Sequence, residues 1–127
     1  MTVLVFCEDD LIIQKLIRLA MRALPHVVHI VDDGEDGLAL IERERPAAVF
    51  TDMSMPRMDG LQLLDILQLR EDLRSIPVVL MTASVQRAEI EDALHRGAAD
   101  VLVKPFGPTE LRAKVEEVLA KTRSFRT

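Results

Sequence analysis

The chain has 127 residues, 49% of them hydrophobic and 29% charged, with a formal net charge of -5. That length suits one domain with its own core, and the composition is that of a soluble globular protein. The acidic balance excludes a general electrostatic attraction to nucleic acid or anionic membranes.

From the N-terminus, Val3 to Cys7 is a continuous apolar run that ends in three acids, Glu8, Asp9 and Asp10. Such a run, bounded by polar residues, predicts a buried strand. The N-terminus lacks the basic segment of a secretion signal. Cys7 is the single cysteine, so no intrachain disulfide forms, which fits a reducing cytoplasm. Its place in an apolar strand predicts a buried, inert thiol. Apolar spacing predicts a helix from Leu11 to Leu24 with Asp10 as N-cap and Pro25 as its stop. Val27 to Val31 reads as a second strand, placed at a sheet edge because His29 interrupts its apolar run. Asp32, Asp33 and Gly34 read as a turn, and Gly37 to Arg45 as a second helix ended by Pro46.

Ala47 to Thr51 is the third strand, and Asp52 follows at its carboxyl end. Pro56, Asp59 and Gly60 then mark a turn before a helix from Leu61 to Glu71. Val78 to Met81 is a wholly apolar fourth strand ending in Thr82, Ala83 and Ser84. The next helix, Arg87 to Arg96, has a thin apolar stripe of Ile90, Leu94 and alanines, so it is expected to be the least firmly packed. Gly97 suits the position after its end. Val101 to Val103 is a short fifth strand closed by Lys104 and Pro105. Pro108 opens the last helix, whose inner stripe is Leu111, Val115, Val118 and Leu119. The longest apolar runs are a few residues, far short of a membrane span.

Five strands alternating with five helices predict an α/β fold with a parallel sheet covered on both faces. The most apolar strands, the first, third and fourth, belong at the centre. The resulting order is 2-1-3-4-5, a flavodoxin-like doubly wound (βα)5 arrangement whose ligand crevice lies between strands one and three. Glu8, Asp9 and Asp52 therefore converge there. Three close carboxylates repel one another and either raise a pKa or hold a cation. Oxygen ligands alone suit a hard ion, and few protein ligands suit Mg²⁺. Thr82 and Lys104 point to the same crevice. A metal, a lysine and a hydroxyl around a carboxylate are the parts that clamp a transferring phosphoryl group, and the carboxylate can itself be the nucleophile.

Glu8 and Asp9 after strand one, Asp52 in TDMSMPRMDG, Thr82 in LMTAS and Lys104 in VLVKPF resemble the response-regulator receiver domain of two-component signalling. The resemblance covers residues 2 to 121. It implies Asp52 as phosphoacceptor, with Mg²⁺ held by Asp9, Asp52 and the backbone carbonyl of Ser54, and by Glu8 through water. It implies that Lys104 and Thr82 contact the phosphoryl oxygens. The phosphoryl donor would be a sensor histidine kinase or histidine phosphotransfer protein, and the recipient of the signal an unidentified output protein or domain. The chain would be no conventional enzyme, but would catalyse its own aspartyl phosphorylation and dephosphorylation in the cytoplasm.

Residues 1–121 are thus expected to form the receiver, and 122–127 a basic tail that is either a solvated end or a linker stub. One departure stands out. Receivers carry an aromatic residue three positions before the lysine, and here that position is Val101. This departure affects the coupling between phosphorylation and the face of helix four, strand five and helix five. Other readings fit less well. A flavin carrier needs a phosphate loop where CEDD offers acids. An aspartyl phosphatase needs a general acid just after Asp52, where Met53 and Ser54 stand. A non-phosphorylated interaction module predicts a defective pocket. No helix-turn-helix follows the last helix, so no direct contact with nucleic acid is expected. His26, His29 and His95 lack metal-like spacing and are expected at the surface or edge.

Overall fold

The computed structural model describes residues 2–126, with side chains through Lys121. Along the first half run β1 (Thr2–Cys7), α1 (Leu11–Met21), β2 (His26–Val31), α2 (Gly34–Glu44) and β3 (Ala48–Asp52). The second half adds α3 (Gly60–Leu69), β4 (Val78–Thr82), α4 (Arg87–His95), β5 (Asp100–Val103) and α5 (Pro108–Arg126). The five strands form one parallel sheet in the order β2-β1-β3-β4-β5, as the sequence predicts.

Alternation along each central strand explains why both faces need cover. In β1, Leu4 and Phe6 face one core and Val5 and Cys7 the other. The first core brings in Ile17 and Met21 of α1 and Leu111 and Val115 of α5, and Phe6 and Phe50 stack in it with ring centroids 4.9 Å apart. The second holds Leu40 and Ile41 of α2, Leu63, Leu64 and Leu67 of α3, and Ala93 of α4. Fully burying one such Leu or Phe side chain stabilises the fold by about 1.5–3 kcal/mol. β2 is half-buried along its whole length, and so is most of β5. That is the burial of edge strands.

Several element ends differ from the sequence expectation. α1 stops at Met21, three residues early, because the Leu24 N–H closes a turn on the Met21 carbonyl at 3.1 Å. α2 starts at Gly34 rather than Gly37: Asp33 is its N-cap, accepting the Asp36 N–H at 2.8 Å, not part of a free turn. The inner face of α4 is Ala93, while Leu94 is 44% exposed and Ile90 half-buried. The backbone of α5 continues through Arg126, across the stretch expected as a tail. The side chains of that stretch, and Thr127, lie outside the described residues. His26 and His29 sit on edge strand β2, each 3.2 Å from a glutamate, Glu116 and Glu44.

Candidate functional site

Parallel pairing places Cys7 opposite Thr51, Asp52 opposite Met81 and Thr82 opposite Val103. The strands therefore end together, and residues at or just past their ends share one edge of the sheet. Glu8 and Asp9 follow β1, Asp52 closes β3, Thr82 closes β4 and Lys104 follows β5. The Lys104 N–H also donates to the Thr82 carbonyl at 2.7 Å, tying the last two strand ends together.

Carboxylate oxygens of Glu8, Asp9 and Asp52 all lie within 4.8 Å of one another. Glu8 is fully buried, Asp52 is half-buried and Asp9 is exposed. The Lys104 ammonium donates to Glu8 Oε1 at 2.8 Å and stands 3.1 Å from Asp52 Oδ2. Burial pushes the Glu8 carboxyl up; the Lys104 hydrogen bond works against that rise and the Asp52 charge adds to it. At Lys104 burial opposes the charged form, but the Glu8 hydrogen bond and both carboxylates outweigh it and hold the ammonium above its ordinary pKa. One ammonium thus pairs with two of the three carboxylates. The remaining negative charge and the all-oxygen donor set fit a hard divalent cation.

The Thr82 side chain is buried, and its hydroxyl accepts the Ser84 N–H at 3.0 Å. Its own proton remains available for a ligand oxygen. Ser54 is exposed and its N–H reaches Asp52 Oδ1 at 3.4 Å. Lys104 also borders an apolar groove of about 440 Å³, lined by Ile12, Ile13, Leu16, Ala83 and Phe106. Leu11 and Ile12, at the near end of α1, are 70% and 78% exposed. Val101 is half-buried against the second core, opposite Leu80.

Three residues that the sequence reading did not assign to the site hold its loops. Buried Gln14 donates to the Glu8 carbonyl at 2.6 Å and to Asp32 Oδ1 at 2.9 Å, joining the β1–α1 and β2–α2 loops. Buried Asp33 caps α2 and accepts from Arg57 of the β3–α3 loop. The Asp36 N–H, and then Arg57, hold the Asp33 carboxyl below the usual carboxylate range. The only available sequence signal is an aspartate three residues before a second acid, which is a weak capping pattern.

The response regulator receiver domain family matches residues 3–116. The chain belongs to that family, whose members act in two-component signalling. Response regulator MprA of Mycobacterium leprae is 33% identical over 116 residues, 91% of this chain and 50% of its own length. The receiver domain of sensor histidine kinase PA1611 from Pseudomonas aeruginosa PAO1 was solved with a magnesium ion coordinated in its active-site cleft. It matches with a TM-score of 0.84 at 28% identity, covering 94% of this chain and 98% of that one. The receiver domain of Francisella response regulator 1452 matches with a TM-score of 0.88 at 26% identity, covering 96% and 99%. The chain spans about half the length of the curated relatives it matches.

Proposed function

We propose that Asp52 accepts a phosphoryl group from a phosphohistidine of a sensor histidine kinase or histidine phosphotransfer protein. One Asp52 oxygen attacks phosphorus, the P–N bond breaks, and its electron pair returns to the departing imidazole. The product is an acyl phosphate. Asp9, Asp52 and the Ser54 backbone carbonyl would hold Mg²⁺, with Glu8 acting through water. The metal supplies charge neutralisation at the phosphoryl oxygens. Lys104 and Thr82 donate to those same oxygens, and water later cleaves the acyl phosphate. The observation that carries this reading is the single Lys104 ammonium among three carboxylates whose oxygens lie within 4.8 Å. Such a cluster is balanced by a divalent cation and aimed at an anionic group.

Phosphorylation would act on the face of α4, β5 and α5 for an output partner, in the cytoplasm. Among the described residues no helix is long and apolar enough to cross a membrane. A histidine donor approaching Asp52 meets the exposed Leu11 and Ile12 and the groove beside them. Ile12→Asp should therefore slow transfer from a phosphorylated donor protein and leave acetyl phosphate as good a donor as before.

The deciding experiment is incubation with acetyl phosphate and Mg²⁺, read by intact mass. The wild-type chain should gain one labile phosphoryl group, and Asp52→Asn none. A phosphoryl group retained by Asp52→Asn moves the acceptor elsewhere. Millimolar Mg²⁺ should raise the melting temperature by linkage, and Asp9→Asn should remove that rise. A wild-type melting temperature indifferent to Mg²⁺ counts against the metal.

A further inference from the structure

The β3–α3 loop, residues 53–59, carries the Ser54 carbonyl, and its near end is held mainly by backbone hydrogen bonds, with a long side-chain contact from Asp52 to the Ser54 N–H. The Met53 N–H donates to the Met81 carbonyl at 3.1 Å and the Gly60 N–H to the Met53 carbonyl at 3.2 Å. Its far end is held differently. Arg57 stands there with a left-handed backbone, φ 65°. Its Nε donates to Asp33 Oδ2 at 3.1 Å, its Nη2 donates to the same oxygen, and Asp36 Oδ2 lies 3.4 Å away. Asp33 is buried, and its other oxygen caps α2. Next to this pair the Gly34 N–H donates to the Met58 carbonyl at 3.0 Å. A Cβ at residue 34 would collide with that carbonyl oxygen, so glycine is what lets the two loops meet.

We infer that Arg57 is a positioning residue for the metal: its clasp on Asp33 sets where the Ser54 carbonyl stands relative to Asp9 and Asp52. The inference rests on the proposed Mg²⁺-dependent phosphorylation. Mg²⁺ demands near-ideal octahedral geometry, so a ligand carried on a loop must be held before the ion arrives. Without the clasp, residues 54–58 keep the Gly34–Met58 hydrogen bond, the turn closed by the Met58 N–H on the Pro56 carbonyl at 2.7 Å, the packing of Met55 and Met58 on the second core, and the long 3.4 Å contact of the Ser54 N–H with Asp52, none of which is an ion pair. The loop then samples positions in which its carbonyl misses the ion.

Charge and position predict opposite signs here, which makes the inference testable. Arg57 is a cation on a loop beside an acidic pocket. On charge alone, removing it should strengthen Mg²⁺ binding. As a clasp, its removal should weaken binding, by roughly tenfold, the scale found for groups that orient metal ligands. Arg57→Gly deletes the guanidinium and suits the left-handed backbone. Asp33→Asn deletes the charge and keeps a good N-cap.

The test is Mg²⁺ titration of both variants and the double variant, followed by calorimetry and by backbone amide shifts. Each single variant should bind roughly tenfold more weakly, and the double variant no more weakly than either, because both remove the same contact. In the metal-free variants the amides of residues 54–58 should exchange faster with solvent. Phosphorylation from acetyl phosphate should need more Mg²⁺ yet approach the wild-type rate at saturation. Arg57→Lys should recover part of the affinity, since it keeps the charge without the planar fork. Unchanged or tighter Mg²⁺ binding in Arg57→Gly overturns the inference, as do fully additive single effects. If the wild-type chain binds no Mg²⁺, the proposed function falls and the inference with it.

Discussion

The two sides of the pocket are built to different standards. On one side, α1, α2 and α3 each begin at an aspartate that accepts backbone N–H groups. Asp10 accepts from Ile12 and Ile13, Asp33 from Asp36, and Asp59 from Gln62 in a complete capping box. Side-chain hydrogen bonds from Gln14 and Arg57 then cross-link the loops. On the other side, α4 begins at Gln86 with no side-chain capping bond among the described residues, and Ala93 is its one buried residue. Its firmest tie is at the far end, where Arg96 donates to Asp65 of α3. The lesson is a division of labour. Atoms that hold a metal and align a phosphoryl group gain from being fixed, whereas a switch needs an element with two arrangements close in free energy.

Hydrogen exchange should give the largest contrast. Amides of β1 and β3 are buried between two cores and should exchange only on global unfolding, which costs roughly 5–15 kcal/mol in small domains. The α4 amides should open locally and exchange at least a hundredfold faster, on the order of the spread seen between core and peripheral units. Equal protection of α4 and α1 would erase the comparison at its root.

A phosphoryl mimic should reveal what the loose side is for. With beryllofluoride and Mg²⁺, amide shifts should concentrate in residues 83 to 97. They should be largest at the uncapped start of α4 and fall toward Arg96. Thr82 and Lys104 border the fixed pocket, so bonds from them to the mimic would supply the differential contact that biases the helix. Val101 has a short side chain already packed against the second core, and it should change rotamer little. Dominant shifts in α1 or α2, with residues 83 to 97 still, would show that the signal leaves by the capped side.

Much of this was legible in the sequence, for one physical reason. A parallel sheet ends its strands at a common edge, so the residues that come next after each strand in the chain are also neighbours in space. Glu8, Asp9, Asp52, Thr82 and Lys104 could be brought together without any knowledge of side-chain geometry. Strand order was legible because β1, β3 and β4 are apolar on both faces and β2 and β5 are not. The clasp was not legible. Arg57 and Asp33 lie 24 residues apart, and their meeting depends on a left-handed residue inside a loop. Gly34 looked like the close of a turn because glycine serves turns and close backbone approaches alike. In α4 the thin stripe of Ile90, Leu94 and alanines was legible, but not that Ala93 alone of it would be buried.

The caps themselves offer a smaller test. Asp59→Ala removes a capping box and should cost about 1 kcal/mol, read from urea midpoints with an unchanged slope. Gln86→Ala should cost close to nothing, having no capping bond to lose. Gln86→Asp should return up to about 1 kcal/mol by supplying the missing cap, and should also narrow the exchange gap between α4 and α1. Equal losses from Asp59→Ala and Gln86→Ala would mean that capping is not what separates the two sides.

The smallest expected effect concerns how the loose side is moored. β5 is tied to α5 by Lys114, whose ammonium donates to Asp100 Oδ2 at 2.6 Å, while Asp100 Oδ1 accepts the Val101 N–H at 2.8 Å. Burial works to raise the Asp100 carboxyl, but the Lys114 and Val101 hydrogen bonds outweigh it and leave its pKa below the usual value. A carboxylate depressed on folding contributes stability above its unfolded pKa of about 3.9. That contribution is lost as the pH falls through the lower folded value. Asp100→Asn keeps an acceptor for the Val101 N–H and removes only the charge. At pH 7 it should cost less than about 1 kcal/mol, because the pair is partly open to solvent and screened. As the pH falls through the folded value of Asp100, the variant and the wild-type chain should converge on the same urea midpoint, since both then carry a neutral group at residue 100. A difference that persists unchanged as the pH falls through that value would show that side-chain shape, not the ion pair, moors β5 to α5.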